Sequence, residues 1–423
     1  MGENDPDIDE EAEEAEEAFV VRQPIFDRDK TVWGYELVTN YEEVPTEKGK
    51  GESLSDLVAR SQKSMSVLNE ELKSDKKLLL NITQERYLNN DDFPKDWDHC
   101  VFGVSPKTAI SEHCSGFADS MHGGGGAMAI DNDMDLEAHD ALVDKCDIVK
   151  VSLAGKTPPE IIKIRRQYKD FKGKLLATDV TSWEAYEGTR ALGFKYFQGP
   201  FFSVPEIHDE AEISASSIAK LQLLRELSNP DSDMEELATI IASDVSLSYR
   251  ILKYINSASF GLRNKIMSIQ QAVSLLGLKE LRHWTTVVVM TDLDSSPKGE
   301  ELAYMALQRG RFLSNLAGTI SDFKHSQNTM FMLGLFSKLD ALLSYPMDKA
   351  LEDIPLNKDI KDGLCGTLNE FRDWLRVLEA VEVGNWDIAN DILGRYGACF
   401  TTAATQYMKA ASWAAQQLPD MKK

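Results

Sequence analysis

The sequence predicts two domains of different class, an α/β barrel followed by an all-helical domain. Three observations carry that expectation. Short apolar β-type runs alternate with helical segments across residues 19 to 206, the pattern of a parallel sheet wrapped by helices. Pro205 closes this pattern, and from Ser214 the periodicity is helical almost to the end of the chain. The chain is 423 residues long, more than a single domain usually holds.

In order, residues 1–18 form an acidic low-complexity tail expected to be disordered, since Glu3 to Glu17 contains no base. Phe19–Phe26 and Thr31–Val38 read as a hairpin turning through Asp27 to Lys30. Ser53–Leu72 has helical spacing. Strands then follow at Lys77–Ile82, Cys100–Val104, Ala127–Asp131, Asp147–Leu153, Lys174–Thr178 and Lys195–Phe197, with helices at Pro159–Tyr168 and Trp183–Leu192 among them. So many β/α repeats favour a closed barrel over an open sheet. The barrel is assigned to 19–206 and the helical domain to 207–423, the boundary falling near 206–214.

In the helical domain, Asp244 or Ser246 is placed to cap a helix carrying Leu247, Ile251, Leu252 and Ile255, which should stop near Ser257 and turn through Phe260 and Gly261. Ser268 caps a second stripe, Ile269, Ala272, Val273 and Leu276, and Gly277 supplies the positive φ that ends it before a helix starting at Lys279. Asp294–Lys298, His325–Asn328 and Pro346–Leu356 read as connections.

Composition narrows the function. The net charge of −23 disfavours nucleic acid as the main partner. No apolar run is long enough to span a bilayer and no signal peptide is evident, so a cytoplasmic location is expected. The five cysteines are too scattered for a disulfide framework and are expected to be reduced and mostly buried.

Two stretches of wording resemble known families. Residues 240–277, with Asp244, Ser246-Leu247, Ile251-Leu252, Asn256-Ser257-Ala258, Phe260-Gly261 and Leu276-Gly277, resemble HDOD domains, helical relatives of HD phosphohydrolases; Val245 stands where that family usually has proline. Upstream, QPIFDRDKTVWGYELV, LLLNIT, AMAIDND, DIVKVS, LLATDV and FQGPFFSVP resemble, in order, the strand motifs of EAL domains, TIM-like barrels that hydrolyse cyclic di-GMP. The resemblance implies an EAL–HDOD bacterial signalling protein with a divergent barrel. Asn385 and Trp386 stand where related proteins carry a Gly-Asp-Trp helix start.

EAL hydrolysis uses two divalent ions, Mg²⁺ or Mn²⁺, held mainly by carboxylates at strand C-termini. The resemblance places Glu36, Asn81, Asp131, Lys150 and Gln198 on ligand-contacting positions. Against them stand Asn40 for an arginine, Gly103 for a glutamate, Asn132 and Ser152 for aspartates, and Thr178 and Thr181 for acidic residues. In the helical domain, Ser337 and Lys338 replace the His-Asp doublet of HD phosphohydrolases. Neutral or cationic side chains cannot hold a divalent pair, so neither domain is expected to carry a metal or a cofactor, or to be an enzyme.

Other features receive plainer readings. Gly123–Gly126 lacks a following Gly-Lys-Ser/Thr and reads as a flexible loop, His139-Asp140 as surface polarity, and His99-Cys100 with His113-Cys114 as no zinc site. The corner at Leu278–His283 reads as packing, and Trp374, Trp386, Tyr407 and Trp413 chiefly as core. The expectation is a non-catalytic signal-transduction or scaffold protein working through protein partners, with homodimerisation open. The alternative is a cyclic di-GMP receptor or weak phosphodiesterase that would need Mg²⁺ or Mn²⁺ for turnover.

Overall fold

The computed structural model describes residues 19–39, 76–82, 88, 98–109, 111, 113–133, 142–206, 215–228, 238–239, 241–242, 245–256, 265–352 and 354–422. The acidic tail, Asn40, the helix expected at 53–72, His139-Asp140, Asp244, and the turn through Ser257, Phe260 and Gly261 lie outside these residues. The chain divides into two compact units. The first comprises residues 1–204 together with Glu379–Asn390, and the second comprises Pro205–Leu378 and Asp391–Lys423. Glu379–Asn390 therefore clusters with the barrel, although its sequence reads as part of the helical run.

Eight strands close the first unit into a barrel in sequence order: β1 Val20–Phe26, β2 Val32–Thr39, β3 Lys77–Ile82, β4 Cys100–Val104, β5 Ala127–Asp131, β6 Ile148–Ser152, β7 Lys174–Thr178 and β8 Tyr196–Gln198. β1 is antiparallel to both β2 and β8, and all other neighbours are parallel. The β1–β2 turn is tied by the Asp27 carboxylate, whose Oδ1 accepts from the N–H groups of Asp29 and Thr31 at 2.9 and 3.0 Å. Such Asx-type bonding is why aspartate opens tight turns.

One level of the barrel interior is apolar, built from Ile25, Leu79, Val101, Ala129, Ile148, Leu176 and Tyr196, with Trp33 packed against it. The opposite strand faces lie under the helices, where Phe102 meets Phe117 and Phe197 meets Tyr186 edge-on. Helix Pro158–Gln167 begins with a capping box, Thr157 N donating to Glu160 Oε2 at 2.7 Å. Ser182 caps helix Trp183–Ala191 by accepting from Ala185 N.

The regular secondary structure among the second unit's described residues is helical. Helix Val245–Ile255 ends where the sequence predicts, with Asn256 bonded to the backbone of Leu252 and Ile266. Ser268 caps the next helix by accepting from Gln271 N at 3.2 Å, and Gly277 breaks it with φ 77° and ψ 162°. Three expected connections are partly helical: Ser296 caps a helix that starts at Pro297, Ser326 caps one that starts at Gln327, and Met347–Ala350 makes one turn after Pro346. In the first two a serine inside a polar run is a cap rather than a loop residue, and in the first proline sits in the opening turn, where backbone N–H groups have no intrahelical acceptor. Among the described residues no helix is long and apolar enough to cross a membrane.

Candidate site at the strand C-terminal end of the barrel

Strand alternation decides what the barrel presents above its apolar level. Side chains two residues apart share a face, so the residues two places beyond Leu79, Val101, Ala129, Ile148, Leu176 and Tyr196 also face inward. These are Asn81, Gly103, Asp131, Lys150, Thr178 and Gln198. On antiparallel β1 the same step runs backwards from Ile25 to Gln23, which pairs with Glu36 across the hairpin. One turn of polar residues thus forms a ring at the C-terminal end of the parallel strands, where barrels of this class hold their ligands.

The ring is hydrogen-bonded side chain to side chain. Asn81 donates its amide to Glu36 Oε1, and Gln198 donates to Glu36 Oε2. Gln198 also donates to Gln23 Oε1 at 2.9 Å. Lys150 Nζ lies 3.2 Å from Asn81 Oδ1 and 3.1 Å from Asp131 Oδ1. Lys150 and Glu36 are each 8% exposed and Gln198 is 5% exposed, so these polar groups depend on one another rather than on water. Burial works against the charge on Lys150, but Glu36 and Asp131 outweigh it and hold its pKa above the ordinary lysine value. Burial raises the pKa of Asp131 above the ordinary carboxylate value, with Lys150 pulling it back.

All five residues assigned to ligand-contacting positions, Glu36, Asn81, Asp131, Lys150 and Gln198, meet in this ring. The replaced positions are arranged around it. A Cβ at Gly103 would run into Asn81 Oδ1, so a side chain at 103 is incompatible with the present Asn81 rotamer. Ser152 ends β6 and donates to Asp179 Oδ2 at 2.5 Å, while Thr178 ends β7. Asn132, just past β5, donates its backbone N–H to Lys150 O at 2.8 Å, and Thr181 is exposed in the loop after β7.

Gln23 and Asp179 escape the sequence reading. Gln23 carries no charge and stands before Pro24, yet its phase relative to Ile25 marks it as inward. Asp179 takes φ 57°, a left-handed conformation that aspartate tolerates better than most residues, and this turns its carboxylate toward Ser152. Burial pushes the thiols of Cys100 and Cys114 up to about 11.

In the second unit, Ser337 donates to Gly334 O at 2.6 Å and accepts from Arg309 Nη1 at 3.0 Å. Lys338 is buried beside it. Burial raises the pKa of Asp340, against the pull of its own helix-start N–H groups, Lys338 and Arg309.

The family model for the HDOD domain matches residues 216–353. YuxH of Bacillus subtilis, an uncharacterized protein, is 29% identical over 385 residues, covering 88% of this chain and 93% of that protein. Cyclic di-GMP phosphodiesterase CdgJ of Vibrio cholerae is 33% identical over 213 residues, about half of each chain. Among solved structures, the Bacillus subtilis YkuI protein, with an EAL domain, in complex with c-di-GMP and calcium, aligns over 57% of this chain and 75% of its own, at 15% identity and a TM-score of 0.34. The barrel itself is established by its strand pairing. The chain therefore carries an HDOD domain at residues 216–353 and, ahead of it, a closed eight-stranded barrel.

Proposed function

We propose that this is a non-catalytic signal-transduction protein of the cytoplasm that acts through protein contacts. The reading is supported above all by how the ring uses its own oxygens. A pair of divalent cations needs several carboxylate oxygens free to coordinate. Here the Lys150 ammonium sits against Asp131 Oδ1 and Asn81 Oδ1, and the amides of Asn81 and Gln198 take both oxygens of Glu36. Positions 103, 152 and 178 bring glycine, serine and threonine. This donor set does not fit a divalent pair, and the function proposed contains no metal-borne step.

A second reading, cyclic di-GMP binding without turnover, is favoured by one observation. The ring gathers an ammonium and two primary amides, from Lys150, Asn81 and Gln198, at the C-terminal end of the parallel strands. A phosphate can be held by such donors without metal. The relative CdgJ carries cyclic di-GMP phosphodiesterase in its name, and it matches half of this chain.

Calorimetric titration with cyclic di-GMP, with and without Mg²⁺ or Mn²⁺, followed by product analysis of the same samples, tests both. No product is expected under any condition. Metal-dependent hydrolysis that disappears in Glu36→Ala would sink the non-catalytic reading. Micromolar binding without product would turn the barrel from scaffold to receptor.

A further inference from the structure

The ring does not end at Gln23. Its Oε1 accepts from Gln198, and its Nε2 donates to the backbone carbonyl of Glu382 at 3.0 Å. Asp131, Lys150, Asn81, Glu36, Gln198 and Gln23 thus form one continuous chain of polar contacts whose last acceptor lies in the segment Glu379–Asn390. That segment belongs to the barrel unit although 174 residues, 205 to 378, separate it in sequence from the rest of the unit.

Two further contacts seat it at the same end. The Trp386 ring stacks on Phe19, centroids 5.4 Å apart and planes 22° apart. Phe19 precedes Val20, which pairs with Thr39 at the last position of β2, so this stack stands on the rim where the ring opens. Gly384 takes φ 73°, and a Cβ there would approach Val38 Cγ1 at 2.7 Å, so the backbone lies directly against β2. Within the segment, Asn385 N donates to Ala380 O at 2.8 Å and Gly384 N to Val381 O at 3.0 Å, holding the turn that aims Glu382 O at Gln23.

We propose that Glu379–Asn390 is a cover for the β1–β2 side of the barrel's open end, seated through Gln23 and released when the polar ring is rearranged. An anionic ligand that draws Lys150 from Asp131 and Asn81, or Gln198 from Glu36, disturbs the partner that orients Gln23 and weakens its bond to Glu382 O. By thermodynamic reciprocity, a seated cover must then oppose that ligand by the same factor. The ligand tested rests on the cyclic di-GMP reading; the link between ring and cover does not.

Hydrogen exchange on the full chain reads the link without ligand. In Gln23→Ala and Gln198→Ala, the amides of residues 383 to 389 should exchange about ten-fold faster or more, while those of β4 to β6 keep their protection and report an intact barrel. Unchanged exchange at 383 to 389 in both variants overturns the proposal. The second readout is calorimetry with cyclic di-GMP. Trp386→Ala, which removes the stack, should bind about ten-fold tighter than the parent, within the range of ordinary allosteric couplings, and Trp386→Phe, which keeps a ring there, should return toward parental affinity. Equal affinity of parent and Trp386→Ala overturns the proposal and leaves the receptor reading intact. Binding by neither, with exchange accelerated in the ring variants, removes the receptor reading and supports the cover.

Discussion

The barrel and the helical unit bury charge in different ways. In the barrel, Lys150 is held by side chains that arrive from different strands, at 3.1 Å from Asp131 and 3.2 Å from Asn81, so the cation closes a ring. In the helical unit, Lys298, Glu301, Gln308 and Arg309 are all buried along one helix, Pro297–Ala317. Lys298 there stands 3.9 Å from Glu206 and 3.8 Å from Asp294, both of which keep some water access. The barrel gathers the buried side chains of Glu36, Lys150 and Gln198 at the C-terminal end of its parallel strands. The helical unit spreads its buried polarity along the helix Pro297–Ala317, where Arg309 donates to Ser337 Oγ and Lys298 stands near Glu206 and Asp294.

The largest test of this contrast is removal of the cation from each. Lys150→Met should cost about 3–5 kcal/mol in denaturant unfolding of the barrel, because it leaves Asp131 and Glu36 without their cation. Lys298→Met should cost about 1–2 kcal/mol, because Glu206 and Asp294 can rehydrate. Equal losses would erase the distinction. The pH dependence of the parent has a definite sign: the folded Lys150 pKa is raised, so its contribution is complete below the ordinary lysine value and fades as pH climbs through and above it.

Thiols sharpen the comparison further. Burial pushes Cys100 and Cys114 up to about 11 and Cys146 up to about 12, whereas Cys365 and Cys399 are exposed. Thiols raised in the folded state add stability that is complete below the ordinary value of 9.0 and is lost as pH rises from there to about 11–12. Barrel stability should therefore fall by about 1–3 kcal/mol per thiol over that window, and replacing the three by alanine should flatten the fall. At neutral pH, iodoacetamide should label Cys399 first, since backbone N–H groups of Thr402 and Thr401 lower its pKa.

Two glycines give smaller and separable effects. At Gly277 a Cβ meets nothing within 4 Å, so Gly277→Ala should cost about 1–3 kcal/mol through backbone strain alone. At Gly103 the obstacle is Asn81 Oδ1, a movable side chain. Gly103→Ala should cost about 1–2 kcal/mol, and Asn81→Ala in the same chain should relieve the clash. A double-mutant cycle measures the coupling. The smallest effect is Ser268→Ala, expected at about 1 kcal/mol from the lost cap on Gln271 N.

Local signals made most of the barrel legible. The strands from Lys77 onward stand within a residue or two of where apolar runs place them, because a strand buried on both faces must be a short apolar run. Glu36, Asn81, Asp131, Lys150 and Gln198 could be brought together by motif and then confirmed as neighbours by alternation. Gln23 was harder, because a neutral amide on an antiparallel strand announces nothing until the inward phase is known. The partnership of Phe19 with Trp386 links residues at opposite ends of the chain and leaves no local trace. Helices at Pro297 and Gln327 were hidden by serines, since one residue type serves both as loop filler and as cap.

The late arrival of Glu379–Asn390 also sets an order of events during synthesis. The strands of the barrel are all translated by Gln198, yet the residues that meet Phe19, Gln23 and Val38 leave the ribosome only after the bulk of the helical unit has been made. At ordinary elongation rates that interval is roughly 10 to 40 s. Throughout it the nascent barrel lacks the Trp386 ring that stacks on Phe19 and the Glu382 carbonyl that accepts from Gln23, and these contacts form after most of the second unit has emerged.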